Sequence, residues 1–151
     1  PYWLEHVQML RAARILGRAS LESDFVPKDL RGETAEKILI EGGFADPALV
    51  LRRLLANAVI EERTPGGTRF FRFALDPIAE YLAAIDWADS NGADTEAWKK
   101  LFEKLEQGDS MTMHGFAIAL FDAVSSFPDY QVPDWVKQRL EALTSENRAA
   151  A

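Results

Sequence analysis

The chain has 151 residues, a net charge of −7 at pH 7 and no cysteine. Its 48% hydrophobic and 27% charged residues are typical of a soluble globular protein of one domain or two small ones, and exclude an intrinsically disordered chain. The lack of cysteine excludes disulfides and thiolate metal sites, and no run approaches the roughly 20 apolar residues of a membrane span. We therefore expect a cytoplasmic protein without a membrane partner.

Acidic residues are concentrated in the second half of the chain. Residues 76–151 carry fourteen acidic and six basic side chains, whereas residues 45–75 carry three acidic and five basic ones. An acidic surface repels a polyanion. The sequence therefore argues against a nucleic-acid partner for most of the chain and leaves only the middle segment for a small basic patch.

The first helix is predicted from about Trp3 to Gly17. Four apolar residues recur there at helical spacing and are expected to share the inner face: Trp3, Val7, Leu10 and Ala13. Residues before a proline avoid the helical region, so 25–27 is expected to be a short extended insert. A second helix is predicted over about 33–41.

Asp46 and Pro47 form a strong helix start. The Asp side chain accepts hydrogen bonds from free backbone amides, and Pro suits the first helical position. The third helix is therefore predicted over about 47–56, with an apolar stripe of Val50, Leu51, Leu54 and Leu55.

The β signal lies in two short runs, 59–63 and 69–74. The loop between them, Thr64–Thr68, contains Pro65, Gly66 and Gly67, which favours a hairpin. Asp76-Pro77 repeats the helix start seen at residue 46, so a fourth helix is predicted from there to about residue 90, with Asp76 as its cap.

After Gly92 the pattern is purely helical. Amphipathic helices are predicted around 98–105, ended by Gly108, around 116–127, and from Pro133 onward. The predicted fold is mainly α: a winged-helix subdomain with a two-stranded β wing over residues 1–90, followed by a small helical, helical-hairpin-like subdomain over residues 91–151.

The run from Phe70 to Ala84 passes from an aromatic strand into an amphipathic helix. It resembles the strand-to-helix junction that ends the winged-helix subdomain of NACHT-type signal-transduction NTPases. The aromatic position of that family is matched by Phe73, and its helix motif is matched at the same spacing by Glu80, Tyr81, Leu82, Ala83 and Ala84. The resemblance covers about residues 46–87.

The resemblance also places Leu75 and Asp76 where the family faces its bound nucleotide. Asp76 matches the acidic residue of the family, but Leu75 replaces a histidine that reaches the ADP phosphate. A leucine side chain cannot donate a hydrogen bond to a phosphate. We expect Leu75 to be partly exposed, on a surface that the nucleotide-binding core covers in the family.

The phosphate-loop pattern G-x-x-x-x-G-K-[ST] does not occur in the chain, so we expect it to bind no cofactor and to catalyse no reaction of its own. The opening on Pro1, within a helical pattern, suggests a part of a longer protein. The resemblance implies ATP or ADP for that parent, with the nucleotide-binding core of the same polypeptide and other protein domains as partners. It further implies a regulatory module that packs on the core in the ADP state and moves away on nucleotide exchange.

The alternative is a DNA-binding winged-helix regulator. Arginines lie on the predicted third helix and on the wing and form a possible basic contact face: Arg52, Arg53, Arg63, Arg69 and Arg72. Salt-dependent binding of duplex DNA would distinguish this alternative from the NACHT-type reading.

Asp76 and Glu80 are four residues apart on one predicted helix, which is the spacing of a paired-carboxylate site. An N-terminal acid favoured by the helix dipole explains them better, because no His or Lys is near in sequence. His6 and His114 are isolated in the sequence, so we expect structural or surface roles and no metal site.

Overall fold

The computed structural model describes the backbone of residues 2–21, 25–107 and 110–150 and, within them, the side chains other than those of 2–4, 110–112, 128 and 146–150. The described chain is mainly helical and carries one small antiparallel sheet. The helices are α1 (Tyr2–Ser20), α2 (Gly32–Glu41), α3 (Pro47–Ala56), α4 (Asp76–Asn91), α5 (Thr95–Gln107), α6 (Ser110–Ser126) and α7 (Asp134–Ala150). The strands are β1 (Leu30–Arg31), β2 (Ile60–Arg63) and β3 (Phe70–Phe73).

The predicted bounds of α3 are confirmed. Asp46 accepts a hydrogen bond at Oδ1 from the backbone amide of Leu49 (3.1 Å), and Pro47 is the first helical residue. Three residues of the predicted stripe are buried and Leu55 is half-buried. Gly108, the expected end of α5, lies outside the described residues.

The prediction of a two-stranded wing was incomplete, because the sheet has three strands in the order β1-β3-β2. The hairpin of β2 and β3 is confirmed, with Ile60 opposite Phe73 and Arg63 opposite Phe70. The third strand, β1, is only two residues long and pairs Leu30 with Phe71.

The hairpin loop uses both of its glycines in the left-handed region. Gly66 has φ 61° and Gly67 has φ 84°, and they form a short 3-10 turn with Pro65. A side chain with a Cβ rarely adopts these angles. The predicted role of the loop is therefore confirmed.

The prediction of an extended insert at 25–27 was wrong at its first residue. Phe25 adopts φ 60°, and its ring stacks on that of Phe116 in α6, with centroids 4.9 Å apart. The amide of Lys28 donates to the carbonyl of Ser20 (3.0 Å), so the segment turns back on α1. The pre-proline preference acts on Val26 and not on Phe25, so it did not determine the conformation of Phe25.

The core is centred on α4, which packs against α1 and α6. The backbone of α1 approaches α4 closely at Gly17, where an added Cβ would be 3.1 Å from the Cβ of Leu82. Buried alanines make α4 thin enough for this contact: Ala79, Ala83, Ala84 and Ala88. The division into 1–90 and 91–151 stays a prediction, and α4, at the end of the first segment, contacts both.

The C-terminal helices follow the predicted amphipathic patterns. Four apolar residues at helical spacing are buried in α5: Trp98, Leu101, Phe102 and Leu105. In α6, Phe116, Leu120 and Val124 are buried, but Phe127 lies past the helix end and is 38% exposed. In α7, Val136 and Leu140 are buried.

Candidate docking surface

Leu75 lies at the junction of β3 and α4 and is 62% exposed, so the expected partial exposure is confirmed. The junction is held in place by backbone hydrogen bonds on both sides. The amide of Ala74 donates to the carbonyl of Val59 (3.0 Å), and the amide of Ile78 donates to the carbonyl of Leu75 (3.1 Å). The exposure of this leucine is therefore a property of an ordered turn.

Asp76 does not cap α4, contrary to prediction. Leu75 occupies the cap position with extended angles, no side chain accepts a cap hydrogen bond, and Asp76 is the first helical residue. The Asp76 carboxylate lies 3.8 Å from the guanidinium of Arg72. Its position in the first turn still suits the helix dipole, which favours negative charge there.

An open groove of about 630 Å³ reaches the neighbours of this junction, although Leu75 itself is not in its lining. Two residues that bond to the junction backbone, Val59 and Ile78, line it. Most of the remaining lining is apolar and comes from α1, α3 and α4: Met9, Leu10, Ala13, Leu54 and Leu82. Polar groups of Glu5, His6, Arg53 and Asn57 complete it.

The predicted inner face of α1 was partly wrong, because Val7 and Leu10 are each 53% exposed. The side chain of Trp3 lies outside the described residues. The close contact of Gly17 with α4 rotates the inner face of α1 toward Ala12, Ala13 and Leu16, which are buried. Leu10 is thus left at the groove. We define the docking surface as the groove together with the exposed side chains of Val7, Leu10 and Leu75.

The residues that match the family motif mostly pack in the core. Phe73, Leu82, Ala83 and Ala84 are buried, and Tyr81 is 38% exposed. Leu82 also lines the groove. Their resemblance to the family motif is thus compatible with a packing role, and any role in nucleotide sensing stays a prediction.

Glu80 is half-buried where α4 meets α6. Its carboxylate lies over Gly115, in space that a Cβ at that position would occupy. Burial raises the pKa of the Glu80 carboxyl above its usual value, and the nearby Asp76 carboxylate raises it further. Helix α6 therefore approaches α4 at a glycine that makes room for a carboxyl group.

The five arginines of the possible basic contact face do not form one free surface. Arg53 forms an ion pair with Glu5, across the groove. Arg72 is near Asp76, as described above, and faces Glu61 in the sheet register. Arg52 and Arg63 are exposed and form no ion pair with the described residues.

Arg69 is occupied by contacts within the fold. Its guanidinium bonds to Glu36 of α2 (2.7 Å) and lies 3.5 Å from Glu62 of β2. It also lies over the ring of Phe71, 4.9 Å from the centroid. Arg69 therefore joins α2 to the hairpin, and three of the five arginines have acidic partners.

The two histidines lie on different helices, His6 on α1 and His114 on α6. Nδ1 of His114 is buried without a hydrogen-bond partner among the described residues, and His6 lines the groove. Within the described part of the chain, no three His, Cys, Asp or Glu side chains are grouped to hold a metal ion. Nor does any helix described there combine the length and apolar character needed to cross a bilayer.

The groove itself was not predicted from the sequence, although most of its residues were identified as apolar. The signal that could have found it is the pair Val7 and Leu10, which extends the stripe of α1 beyond the part that α4 covers. Comparison with protein-family models, with curated proteins and with solved structures found no match for this chain.

Proposed function

We propose that the chain is the winged-helix and helical region of a cytoplasmic NACHT-type signal-transduction NTPase, and that it is a regulatory and interaction module without catalysis of its own. The docking surface would pack on the nucleotide-binding core of the parent, which would carry the ATP or ADP. The observation that carries the proposal is the ordered exposure of Leu75 at a junction whose neighbouring residues line an apolar groove.

The topology supports the fold part of this proposal. Helix α1, strand β1, helices α2 and α3 and the hairpin of β2 and β3 follow one another in the order of a winged helix. The third strand makes β3 the central strand of the sheet. Strand β3 directly precedes α4, and the family resemblance lies at this junction.

The exposed apolar area is of the right size for a reversible contact. Full burial of a Val or Leu side chain is worth about 1.5–3 kcal/mol. Val7, Leu10 and Leu75 are 53–62% exposed, so covering the exposed part would give about 1–2 kcal/mol each, or about 3–5 kcal/mol in total. Switching a two-state equilibrium from one side to the other takes about 5.5 kcal/mol, so this surface supplies a large part of that difference.

The residues at the junction suit apolar docking and not the sensing of a nucleotide. Leu75 offers only apolar contact, and Asp76 is near Arg72. We therefore assign apolar docking to Leu75 and no contact with phosphate. The alternative of DNA binding loses support, since Arg53, Arg69 and Arg72 have carboxylate neighbours.

The first test is the gene that encodes this chain. The proposal requires a phosphate-loop sequence encoded a few hundred residues before Pro1. The region that contains it would be produced as a separate polypeptide, and its affinity for this chain would be measured by calorimetry with ADP present. We expect Leu75→Glu to weaken binding at least tenfold, because about 1.4 kcal/mol corresponds to a factor of ten.

Ile40→Glu is the matched control. Ile40 is 59% exposed, close to the value for Leu75, but it does not line the groove. The Ile40→Glu variant should bind the polypeptide that contains the phosphate loop with an affinity within about twofold of the wild type. A gene without a phosphate loop, or equal effects of Leu75→Glu and Ile40→Glu, would refute the proposal.

A further inference from the structure

A second cavity, of about 570 Å³, lies between α2 and α5 and shares no residue with the docking surface. Ile38 and Glu41 of α2 form one wall, and Ala97, Lys100 and Lys104 of α5 form the other. The base comes from α1, α4 and α6 and includes Ile15, Ala83, Trp87 and Phe116. Small-molecule pockets are typically about 300–1,000 Å³, mostly apolar, and often lie where two parts of a protein meet.

The base of this cleft is aromatic and preformed. Phe25 stacks on Phe116 with an angle of 15° between the rings, and Trp87 packs edge-on against the buried Trp98, with centroids 4.4 Å apart. Phe25 has φ 60°, which costs a bulky residue about 1–3 kcal/mol. The fold keeps this strained residue at the cleft, where its ring forms part of the lining.

The mouth of the cleft is basic although the protein is acidic. Lys100 and Lys104 are one turn apart on α5, both exposed, and neither forms an ion pair with the described residues. The third basic group, Arg18, is bonded to Asp86 (3.2 Å). Among the described residues of the lining, the acidic one is Glu41. The two lysines are therefore placed to receive an anion at the edge of an apolar cavity.

We infer that this cleft binds a small amphiphilic anion, whose apolar body contacts the aromatic base and whose carboxylate, sulfonate or phosphate group pairs with Lys100 and Lys104. The cavity volume fits a drug-sized molecule. The ligand would contact α2 and α5, which lie on either side of α4 in the sequence.

The probe is 1-anilinonaphthalene-8-sulfonate, which combines aromatic rings with one sulfonate, titrated into the folded protein and followed by its fluorescence. N-phenyl-1-naphthylamine, its neutral relative, is the matched ligand. We expect saturable binding of the sulfonate at one site. The double variant Lys100→Gln/Lys104→Gln should weaken it about tenfold and leave binding of the neutral probe within about twofold, because only the charge contact is lost.

Lys99→Gln is the control for charge, since Lys99 lies on the same helix but is 3.5 Å from Glu96 and does not line the cleft. It should leave both affinities within about twofold. Ala97→Phe, which fills the cleft, should weaken both probes, and near-UV circular dichroism would check that this variant is folded.

The inference is overturned if the Lys99 variant and the Lys100/Lys104 variant weaken binding of the sulfonate probe equally, or if binding of the probe does not saturate. It is overturned as well if the protein binds vesicles of anionic lipid and does not bind the sulfonate probe. It is also overturned if Leu75→Glu removes the sulfonate probe while the double lysine variant does not, because the ligand would then occupy the docking surface. The result does not depend on whether the chain packs on a nucleotide-binding core.

Discussion

Replacing Gly92 with alanine should destabilise the protein by about 2–4 kcal/mol. Gly92 follows the last residue of α4 and is buried. A Cβ there would overlap the backbone carbonyl oxygen of Tyr130 and lie 3.0 Å from its carbonyl carbon. Backbone on both sides of this contact leaves little freedom to adjust.

The clash would also disturb a buried hydrogen bond. Nε1 of Trp98, which is fully buried, donates to the carbonyl of Gly92 (2.9 Å). Overpacking costs about 1–3 kcal/mol, and an unsatisfied buried donor costs about 1–3 kcal/mol. Alanine also lowers the conformational entropy of the unfolded chain relative to glycine, which stabilises the folded protein by only about 0.4–1 kcal/mol. The net effect therefore falls near 2–4 kcal/mol.

Gly115→Ala is the matched control. The added Cβ would also overlap an atom there, but that atom belongs to the end of the flexible Glu80 side chain. Alanine is favoured over glycine inside a helix by about 1 kcal/mol. We expect Gly115→Ala to change the free energy of unfolding by less than about 1 kcal/mol. Urea denaturation, monitored by tryptophan fluorescence, measures the free energy of unfolding of both variants. An equal decrease in the two variants would refute the argument that the mobility of the opposing atom determines how much stability is lost.

Three further predictions concern the charged groups. The pKa of Glu80 is raised in the folded state, so the stability that its carboxyl group contributes is fully present below about pH 4.5 and is lost as pH rises through the folded pKa. In urea denaturation, the Glu80→Gln variant should therefore gain stability relative to the wild type between pH 4 and pH 7. A difference in unfolding free energy that stays constant over this range would contradict the prediction. Arg69→Ala should lower the free energy of unfolding, measured by thermal denaturation, by about 1–2 kcal/mol, because ion pairs and a ring contact are removed. Arg63 has no ion pair among the described residues, so Arg63→Ala should change this free energy by less than about 0.5 kcal/mol. Duplex DNA of about 20 base pairs should not bind at low salt in fluorescence anisotropy, because the acidic half of the chain repels it; salt-dependent binding would restore the DNA-binding alternative.

Local chemistry made several parts of the fold predictable. The start of α3 depends on one side chain and one proline next to it in sequence, so its bounds could be predicted from Asp46 and Pro47. The hairpin depends on two glycines within its own loop. The exposure of Leu75 was expected from the resemblance, because the histidine at the matching position of that family reaches out of its own subdomain.

The features that were missed depend on contacts between distant residues. Strand β1 has two residues and exists because β3 offers it partners, such as Phe71 for Leu30. The left-handed angle of Phe25 depends on stacking with Phe116, far along the chain. The cleft combines residues from α1, α2, α4, α5 and α6, so no local pattern could have indicated its shape or its pair of lysines.

The alanine-rich helix α4 has a consequence for dissecting this protein. Because α4 contacts both α1 and α6, a fragment that ends at residue 90 would expose the α6-facing side of α4, including the half-buried Glu80. The complementary fragment would expose the partners of α4 in the same way. Each fragment would expose apolar surface that is buried in the intact protein. We therefore expect the two fragments to associate with each other, or each with itself, and not to remain as separate monomers.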